Sequence, residues 1–419
     1  CARLPAWAHG FKRGAPGPAG RVAAAAVRVS PMNRLPDAPT LACFGIYVHY
    51  PYCARHCPYC DFTVAVTREI PHARYRDAVL AELSARAPAF AHLGPAVSLY
   101  FGGGTPGLWP AACVGAVIDA VAAGPGLAAD AEITIECNPE DVDAARLRGL
   151  RLAGVNRLSL GAQSFDDALL LRLGRAHTAD DVRRAVALAR GVGFEALSLD
   201  LMHGEQGQTL AAALADVDLA CDLAPTHVST YQLTIEARTS FGARARRGEA
   251  LTAPDDDLAV AYDAIRAALR ARGVLPYEIS NAALPGHEAV HNTLYWTGQP
   301  YLALGAGAHG FLSDGRRGER WENERHAGRY MAAALSGAPA ESWREVLDAE
   351  TLLEERILTG LRLDRGVRVD ADLEARFGAA ARRLARRGEL RIDARRWAAT
   401  DRGRAVLNRV VLDLVSEPR

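Results

Sequence analysis

His49-Tyr-Pro-Tyr-Cys-Ala-Arg-His-Cys-Pro-Tyr-Cys-Asp-Phe62 comes directly after a strand-like run, Gly45 to Tyr50. Its cysteines, Cys53, Cys57 and Cys60, are spaced C-x3-C-x2-C. Three thiolates on one short loop can hold three corners of a [4Fe–4S] cube. Such cubes ordinarily take four cysteines, and no fourth lies nearby, so one iron is expected to stay open to a small molecule. Two plainer readings compete. Zinc sites usually have four ligands in two pairs; His49 and His56 can complete one, but x3 followed by x2 is an unusual zinc spacing. A disulfide cluster needs an oxidising compartment, and nothing in the sequence points to secretion. The iron–sulfur reading is preferred, mainly because of the motifs found C-terminal to the loop.

Strand-like runs recur at 45–50, 97–101, 132–136, 156–160, 196–201 and 227–232, with helical patterns at 72–87, 110–122, 141–153, 179–192 and 208–223. This alternation predicts parallel βα units. Six of them point to an α/β fold, a partial (β/α)6 barrel, with a flat doubly wound sheet as the alternative. Residues with chemistry fall at the C-terminal strand ends: Gly102-Gly-Gly-Thr-Pro106, Glu136-Cys-Asn-Pro139, Gly161-Ala-Gln-Ser164, Asp200-Leu-Met-His-Gly204 and Tyr231-Gln232. In a parallel barrel those ends open on one face, where such folds place their sites. Segments far apart in sequence are thus expected to meet the cysteine loop in one bowl.

After Asp255 the pattern changes. We expect a helix over 255–272, a strand over 275–280, then His291-Asn-Thr-Leu-Tyr-Trp296 and Gly305-Ala-Gly-Ala-His-Gly310. From about 345 the sequence reads as a small helical domain with a hairpin, 389–392 and 396–399, and a last helix over 400–415. That order resembles a winged helix, read here as a cap on the barrel. The expected organisation is a leader at 1–40, a barrel core at 41–240, an extension at 241–340 and the winged-helix-like domain at 341–419. The leader is rich in Ala, Arg, Pro and Gly without periodicity; we expect disorder there, with translation starting naturally at Met32, a transit peptide being the alternative.

Composition narrows the function classes. The 419 residues carry 49 basic and 49 acidic side chains, so no global basic field draws nucleic acid. The run Arg382, Arg383, Arg386, Arg387 reads as a solvated helix face. No apolar run approaches the roughly 20 residues of a membrane-spanning helix. Eight cysteines, three of them in one loop, fit a reducing cytoplasm. Cys43, Cys113, Cys137 and Cys221 are scattered and read as buried free thiols.

With this cysteine spacing, the molecule expected at the open iron is S-adenosylmethionine (SAM), its amino and carboxylate groups chelating the metal. Electron transfer from the cluster would then cleave the sulfonium, chemistry that belongs to the cofactor. Gly102 to Gly104 lets backbone approach a ligand closely. Glu136 and Asp200 suit ribose hydroxyls or the ammonium; Gln163 and Arg175 suit ribose and carboxylate, although Arg175 reads equally as a surface ion pair. Tyr47 alternates with Ile46 and Val48 and faces either the SAM site or the core. His291, beside Asn292, Tyr295 and Trp296, reads as an aromatic, polar-tipped surface for a flat ligand, and His is a common axial haem ligand. His309 is equally available.

Together, Tyr47-Val-His-Tyr-Pro-Tyr-Cys53, Cys57-Pro-Tyr-Cys60-Asp-Phe62, Gly102-Gly-Gly-Thr-Pro106, Gly154-Val-Asn-Arg157, Gln163-Ser-Phe165 and Leu173-Gly-Arg-Ala-His177 resemble the radical SAM proteins of the oxygen-independent coproporphyrinogen III oxidase family, over about residues 44–415. In the oxidase branch a further cysteine stands two residues after the third; here that position is Phe62. Cys60-Asp-Phe62 and His291-Asn-x-x-Tyr-Trp296 are similar to the HemW branch, the haem chaperones. The resemblance implies SAM contacts from Tyr47, Gly103, Gly104, Thr105, Glu136, Gln163, Arg175 and Asp200, a haem motif containing His291, and haem-dependent acceptor proteins, some membrane-associated. It leaves homodimer formation open. The alternative is a true dehydrogenase that decarboxylates coproporphyrinogen III; a radical SAM enzyme acting on RNA is a third. Two stretches depart from the family pattern. Gly204-Glu-Gln-Gly-Gln-Thr209 replaces Gly-Leu-Pro-x-Gln-Thr, altering that loop, and Ala282 stands where an aromatic is usual, loosening a pocket wall.

Overall fold

The computed structural model describes residues 43–416; the expected leader lies outside them. Six parallel strands form the centre: β1 (Gly45–Tyr50), β2 (Ala96–Gly103), β3 (Leu127–Cys137), β4 (Arg157–Gln163), β5 (Ala196–His203) and β6 (His227–Gln232). Between them run α1 (His72–Arg86), α2 (Ala111–Ala123), α3 (Ala144–Leu152), α4 (Asp167–Arg172), α5 (Ala179–Gly191) and α6 (Leu210–Asp222). Side chains alternate across each strand. Ile46, Val48 and Tyr50 of β1, Leu99 and Phe101 of β2, and Leu158 and Leu160 of β4 join one core with Tyr75 of α1, Val117 of α2, Leu147 of α3 and Val182 of α5. The opposite set faces the strands' other side and is polar. Tyr47 is paired with Tyr100, Glu136 with Ser159, Ser159 with Ser198, and Asp200 with Ser229. One apolar and one polar face per strand is what makes this sheet a site wall.

The sheet does not close. Beyond β6 lie β8 (Asn281–Ala283) and β7 (Leu275–Pro276), both antiparallel. Beyond β1 lie β9 (Tyr301–Leu304), parallel to it, then antiparallel β10 (His309–Ser313), β11 (Gly318–Asn323) and β12 (Glu341–Leu347). The result is an open, twelve-stranded arc with β12 and β7 as edges. It agrees with the partial barrel and not with a complete one.

Four stretches differ from expectation. Strands β2 to β5 run further than their apolar segments, because the ladder continues through glycines and polar residues that carry no strand signature. The strand expected over 275–280 is a tight β7–β8 hairpin whose turn is held by Glu278, which accepts from the Ser280 N–H at 3.0 Å. The loop at Gly204 is closed by Gln208, whose Oε1 accepts from the Gly204 N–H at 2.7 Å, with Gly204 and Gly207 both at positive φ. Ala282 does not border a ligand cavity: it is 1% exposed in β8, opposite Val228.

The extension supplies α7 (Ser240–Arg246), α8 (Asp255–Ala271), α9 (Val290–Trp296) and α10 (Ala327–Ser336). Buried Glu82 of α1 ties it to the barrel, accepting from the Tyr330 hydroxyl (2.7 Å), Asn323 Nδ2 (2.8 Å), the Gly305 N–H (3.0 Å) and Arg86 (2.9 Å). Four donors satisfy a carboxylate that burial would otherwise penalise.

The C-terminal part has α11 (Ala349–Gly360), β13 (Val367–Arg368), α12 (Ala371–Arg386), β14 (Leu390–Ile392), β15 (Arg396–Ala399), α13 (Asp401–Arg404) and α14 (Leu407–Val415). The three strands pair antiparallel around central β15, and Ile357, Leu373, Phe377, Trp397 and Val410 make a separate core. The single last helix expected over 400–415 breaks at Ala405–Val406, between α13 and α14. Asp364 docks this part: Arg266 donates to it twice at 2.8 Å and Arg404 at 2.7 Å. Arg382, Arg383 and Arg387 are exposed and Arg386 is exposed with them along the same helix end, as expected of a solvated face.

Candidate functional site

One cavity of about 310 Å³ gathers residues from all six parallel strand ends and the loops after them. Its walls include Cys53, Cys57 and Cys60, then Gly103, Gly104 and Thr105 after β2, Glu136 at β3, Gln163 at β4, Arg175 before α5, and Asp200 at β5. Convergence of these strand ends is the geometry that βα topology imposes. Tyr47 borders an adjoining basin, and His291 lines none of the described cavities.

The cysteine loop is held by backbone as well as by side chains. The Cys53 N–H donates to Ala65 O (3.1 Å), and the Cys60 N–H donates to Cys57 O (3.1 Å). Thr105 Oγ1 donates to Cys53 Sγ at 3.5 Å and Arg175 Nη1 to Cys57 Sγ at 3.6 Å. Burial pushes the Cys53 thiol up to about 11 and raises that of Cys60; bound iron would reverse this, since a coordinating thiol is deprotonated. A Cβ on Gly104 would come 2.8 Å from Tyr52 O and 3.0 Å from Cys53 Sγ. The absence of a side chain there lets β2's end pass against the loop. Among the described residues no three His, Cys, Asp or Glu side chains converge as a single ion requires. A four-iron cube instead spreads its thiolates over separate corners, and the donor set, all sulfur with hydrogen bonds from Thr105 and Arg175, fits such a cluster.

Arg175 is not a surface ion pair. Its Nη2 donates to Asn138 Oδ1 (2.6 Å) and Gly161 O (3.1 Å), and its Nε is buried without a partner. The guanidinium thus braces the sulfur loop against the ends of β3 and β4. Glu136 accepts from the Tyr100 hydroxyl (2.7 Å) and the Gly103 N–H (3.1 Å). Burial raises its carboxyl to about 7, with a push from Asp200, against which these two hydrogen bonds work. Asp200, raised by burial, accepts from Ser159 at 3.0 Å. Gln163 sits at φ 65°, beside a register shift in β4. That left-handed conformation is unusual for a residue with a side chain, and it costs on the order of 1 kcal/mol or more. Asn138 and Tyr231 line the cavity and lie in the strand-end stretches singled out in the sequence; Tyr100 carries no motif that marks it as a site residue, and inward alternation from Gly102 is the one signal that would have found it.

The neighbouring basin, about 420 Å³, shares Gly103, Glu136 and Phe62 with the cysteine cavity. It is bounded also by Tyr47, His49, Tyr295, Tyr301 and His309. The Thr63 carbonyl can only accept, so His49 Nε2 carries the proton (2.8 Å), and Nδ1 accepts from the Tyr47 hydroxyl (3.0 Å). An open groove of about 790 Å³ continues past Phe62 along Asp61, Arg238 and Arg325. Phe62, 68% exposed, borders all three spaces.

Residues 47–220 match the model of the Radical SAM superfamily, and residues 347–406 match the HemN C-terminal domain; fold and site together define a radical SAM protein. "Heme chaperone HemW" of Escherichia coli (strain K12) is 41% identical over 306 residues, 72% of this chain and 78% of that protein. "Heme chaperone HemW" of Mycobacterium tuberculosis is 37% identical over 383 residues, 89% of this chain and 95% of that one. The mitochondrial "Radical S-adenosyl methionine domain-containing protein 1" of Bos taurus is 35% identical, with 89% and 87% covered. The chain belongs to the HemW family. Membership of the superfamily implies SAM and a [4Fe–4S] cluster. The solved coproporphyrinogen III oxidase (HemN) from Escherichia coli superposes with a TM-score of 0.75 over 90% of each chain at 23% identity, a likeness of fold. No helix among the described residues is long and apolar enough to cross a membrane.

Proposed function

We propose that this chain is a cytoplasmic haem chaperone that binds haem and passes it to haem-dependent proteins, membrane-associated ones among them. The observation that carries this reading is the pair of adjoining spaces: a sulfur-lined cavity and a second basin that share Gly103, Glu136 and Phe62 as walls. A porphyrin carrier needs room for a large flat ligand outside the SAM site. The relatives named as haem chaperones support it. In this reading residues 43–240 serve as the SAM-binding core, 241–340 as the extension that walls the basin, and 341–416 as a cap.

In this reading Cys53, Cys57 and Cys60 hold three irons of the cluster. When reduced, such a cluster supplies the electron that cleaves a bound sulfonium. The protein's own part is positional. Gly103 and Gly104 bring backbone against the SAM amino-acid moiety, with Thr105 beside Cys53. Glu136 and Asp200 accept from ammonium or ribose hydroxyls. Gln163 and Tyr47 border the ligand, and Arg175 fixes the loop.

The test is anaerobic. Reconstituted protein is titrated with haem and mixed with a haem-free acceptor. Coproporphyrinogen III, SAM and reductant are supplied in parallel, with a working dehydrogenase alongside. Haem binding and transfer without protoporphyrinogen formation is expected. Turnover at the control's rate would replace this reading with haem biosynthesis. The Cys53→Ser/Cys57→Ser/Cys60→Ser variant should lose the brown chromophore; a variant that keeps it would remove the cluster assignment.

A further inference from the structure

We propose that the seam between the end of α9, strands β9 to β11 and α11 is a second small-molecule site, which takes a flat, uncharged ring compound bearing a carbonyl oxygen. The cavity there measures about 350 Å³, against about 310 Å³ for the cysteine cavity, and the two share no lining residue. A space of that size lies in the range that small ligands fill. The inference goes beyond haem carriage and does not rest on it.

Aromatic and aliphatic side chains set the shape. Tyr295 and Trp296 end α9, Tyr301 lies in β9, Phe311 in β10, and Leu352 and Leu358 in α11. Tyr301 stands edge-on to Tyr295 at 4.6 Å and tilted against Phe311 at 5.9 Å. Rings held at such angles favour a planar guest that stacks on one and meets the edge of another.

Polar groups set the chemistry. The cations of the cavity are already neutralised: Arg320 pairs with Glu355 at 2.9 Å and Glu345 at 3.1 Å, and Arg356 with Asp370 at 2.8 Å. Its hydroxyls are engaged as well. Ser313 donates to Arg317 O at 2.9 Å, Thr359 donates to Glu355 O at 2.8 Å, and Tyr295 shares a hydrogen bond of 2.8 Å with His291 Nε2. Three N–H donors stay buried without an acceptor among the described residues: Trp296 Nε1, Gln299 Nε2 and Arg356 Nε. Gln299 is 0% exposed, and its Oε1 accepts from the Cys43 thiol at 3.8 Å, so its amide nitrogen is the free end. Indole and amide N–H groups can only donate, and a buried donor costs free energy until an acceptor meets it. The complement is an acceptor oxygen on an apolar ring. A carboxylate would give up its hydration in a site with no net positive charge to receive it. A carbonyl oxygen accepts from the same donors at a far smaller desolvation cost.

The experiment uses the full chain and a matched pair of probes, 9-fluorenone and fluorene, which differ in the carbonyl alone, with 9-fluorenone-4-carboxylate as the charged control. Binding is read by saturation-transfer nuclear magnetic resonance and by calorimetry, and folding by near-ultraviolet circular dichroism. Fluorenone should bind about tenfold more tightly than fluorene, as one net hydrogen bond provides, and the carboxylate no better than fluorene. Trp296→Phe keeps a ring and removes the N–H, and Gln299→Leu removes the amide; each should shrink the preference for fluorenone and leave fluorene binding in place. Leu358→Trp, at a position 46% exposed on α11, should fill the cavity and abolish both, and it carries the test if the other variants misfold. Equal affinity for fluorenone and fluorene, or tighter binding of the carboxylate, overturns the proposal. So does binding of neither probe, which makes this a cavity for water only, and so does displacement of fluorenone by one equivalent of haem, which gives the cavity to haem.

Discussion

Arg175 illustrates what a single residue carries here. Its charge lies against one cluster-loop sulfur and is neutralised by no carboxylate at hydrogen-bonding distance among the described residues. Hydrogen bonds to cluster sulfurs and local positive charge raise reduction potentials. Arg175→Met should therefore lower the cluster midpoint by on the order of tens of millivolts, and Arg175→Lys by less, checked by anaerobic spectroelectrochemistry; an unmoved midpoint would assign Arg175 to scaffolding alone. The sequence showed that Arg175 belonged near the site, through the Leu173-Gly-Arg-Ala-His177 stretch. It could not show which partner the guanidinium takes, because that depends on where β3 and β4 end.

At the scale of elements, the cysteine loop and the end of β2 are one unit. Gly104→Ala places a methyl against Tyr52 O and Cys53 Sγ, so one of them must move. Iron bound per chain after reconstitution should fall by about half or more, while thermal stability falls by about 1–3 kcal/mol. Full iron content in a folded Gly104→Ala protein would show the loop to be more pliant than this packing indicates. The six parallel strands were legible because buried runs such as Ile46, Val48 and Leu158, Leu160 are continuous apolar signals. Their ends were not, since Gly102, Gln163 and Met202 extend the ladder without resembling it. Nor was the role of α9: His291, Tyr295 and Trp296 read alike whether they face a cavity or a packed interior, and only tertiary placement decides.

The whole molecule keeps several histidines buried and neutral. Burial lowers His49 and His203 to about 4 and His291 to about 3, and lowers His227 too. In the unfolded chain each titrates near 6.5. Between those values the unfolded state binds more protons, so stability rises with pH; it is fully present above about 6.5 and is lost as pH falls toward 4. Chemical denaturation across pH 4.5–7 should show this slope, and His291→Gln should make it shallower; an unchanged slope would refute its share. Gly103, Glu136 and Phe62 give walls to two spaces at once, so a cargo seated in the outer basin would press on the walls of the SAM cavity, and the order of loading becomes a test of that shared wall. Stopped-flow release of SAM should slow when haem is bound, and SAM added after haem should enter more slowly than SAM added before it. Equal rates in both orders would mean that the wall transmits nothing.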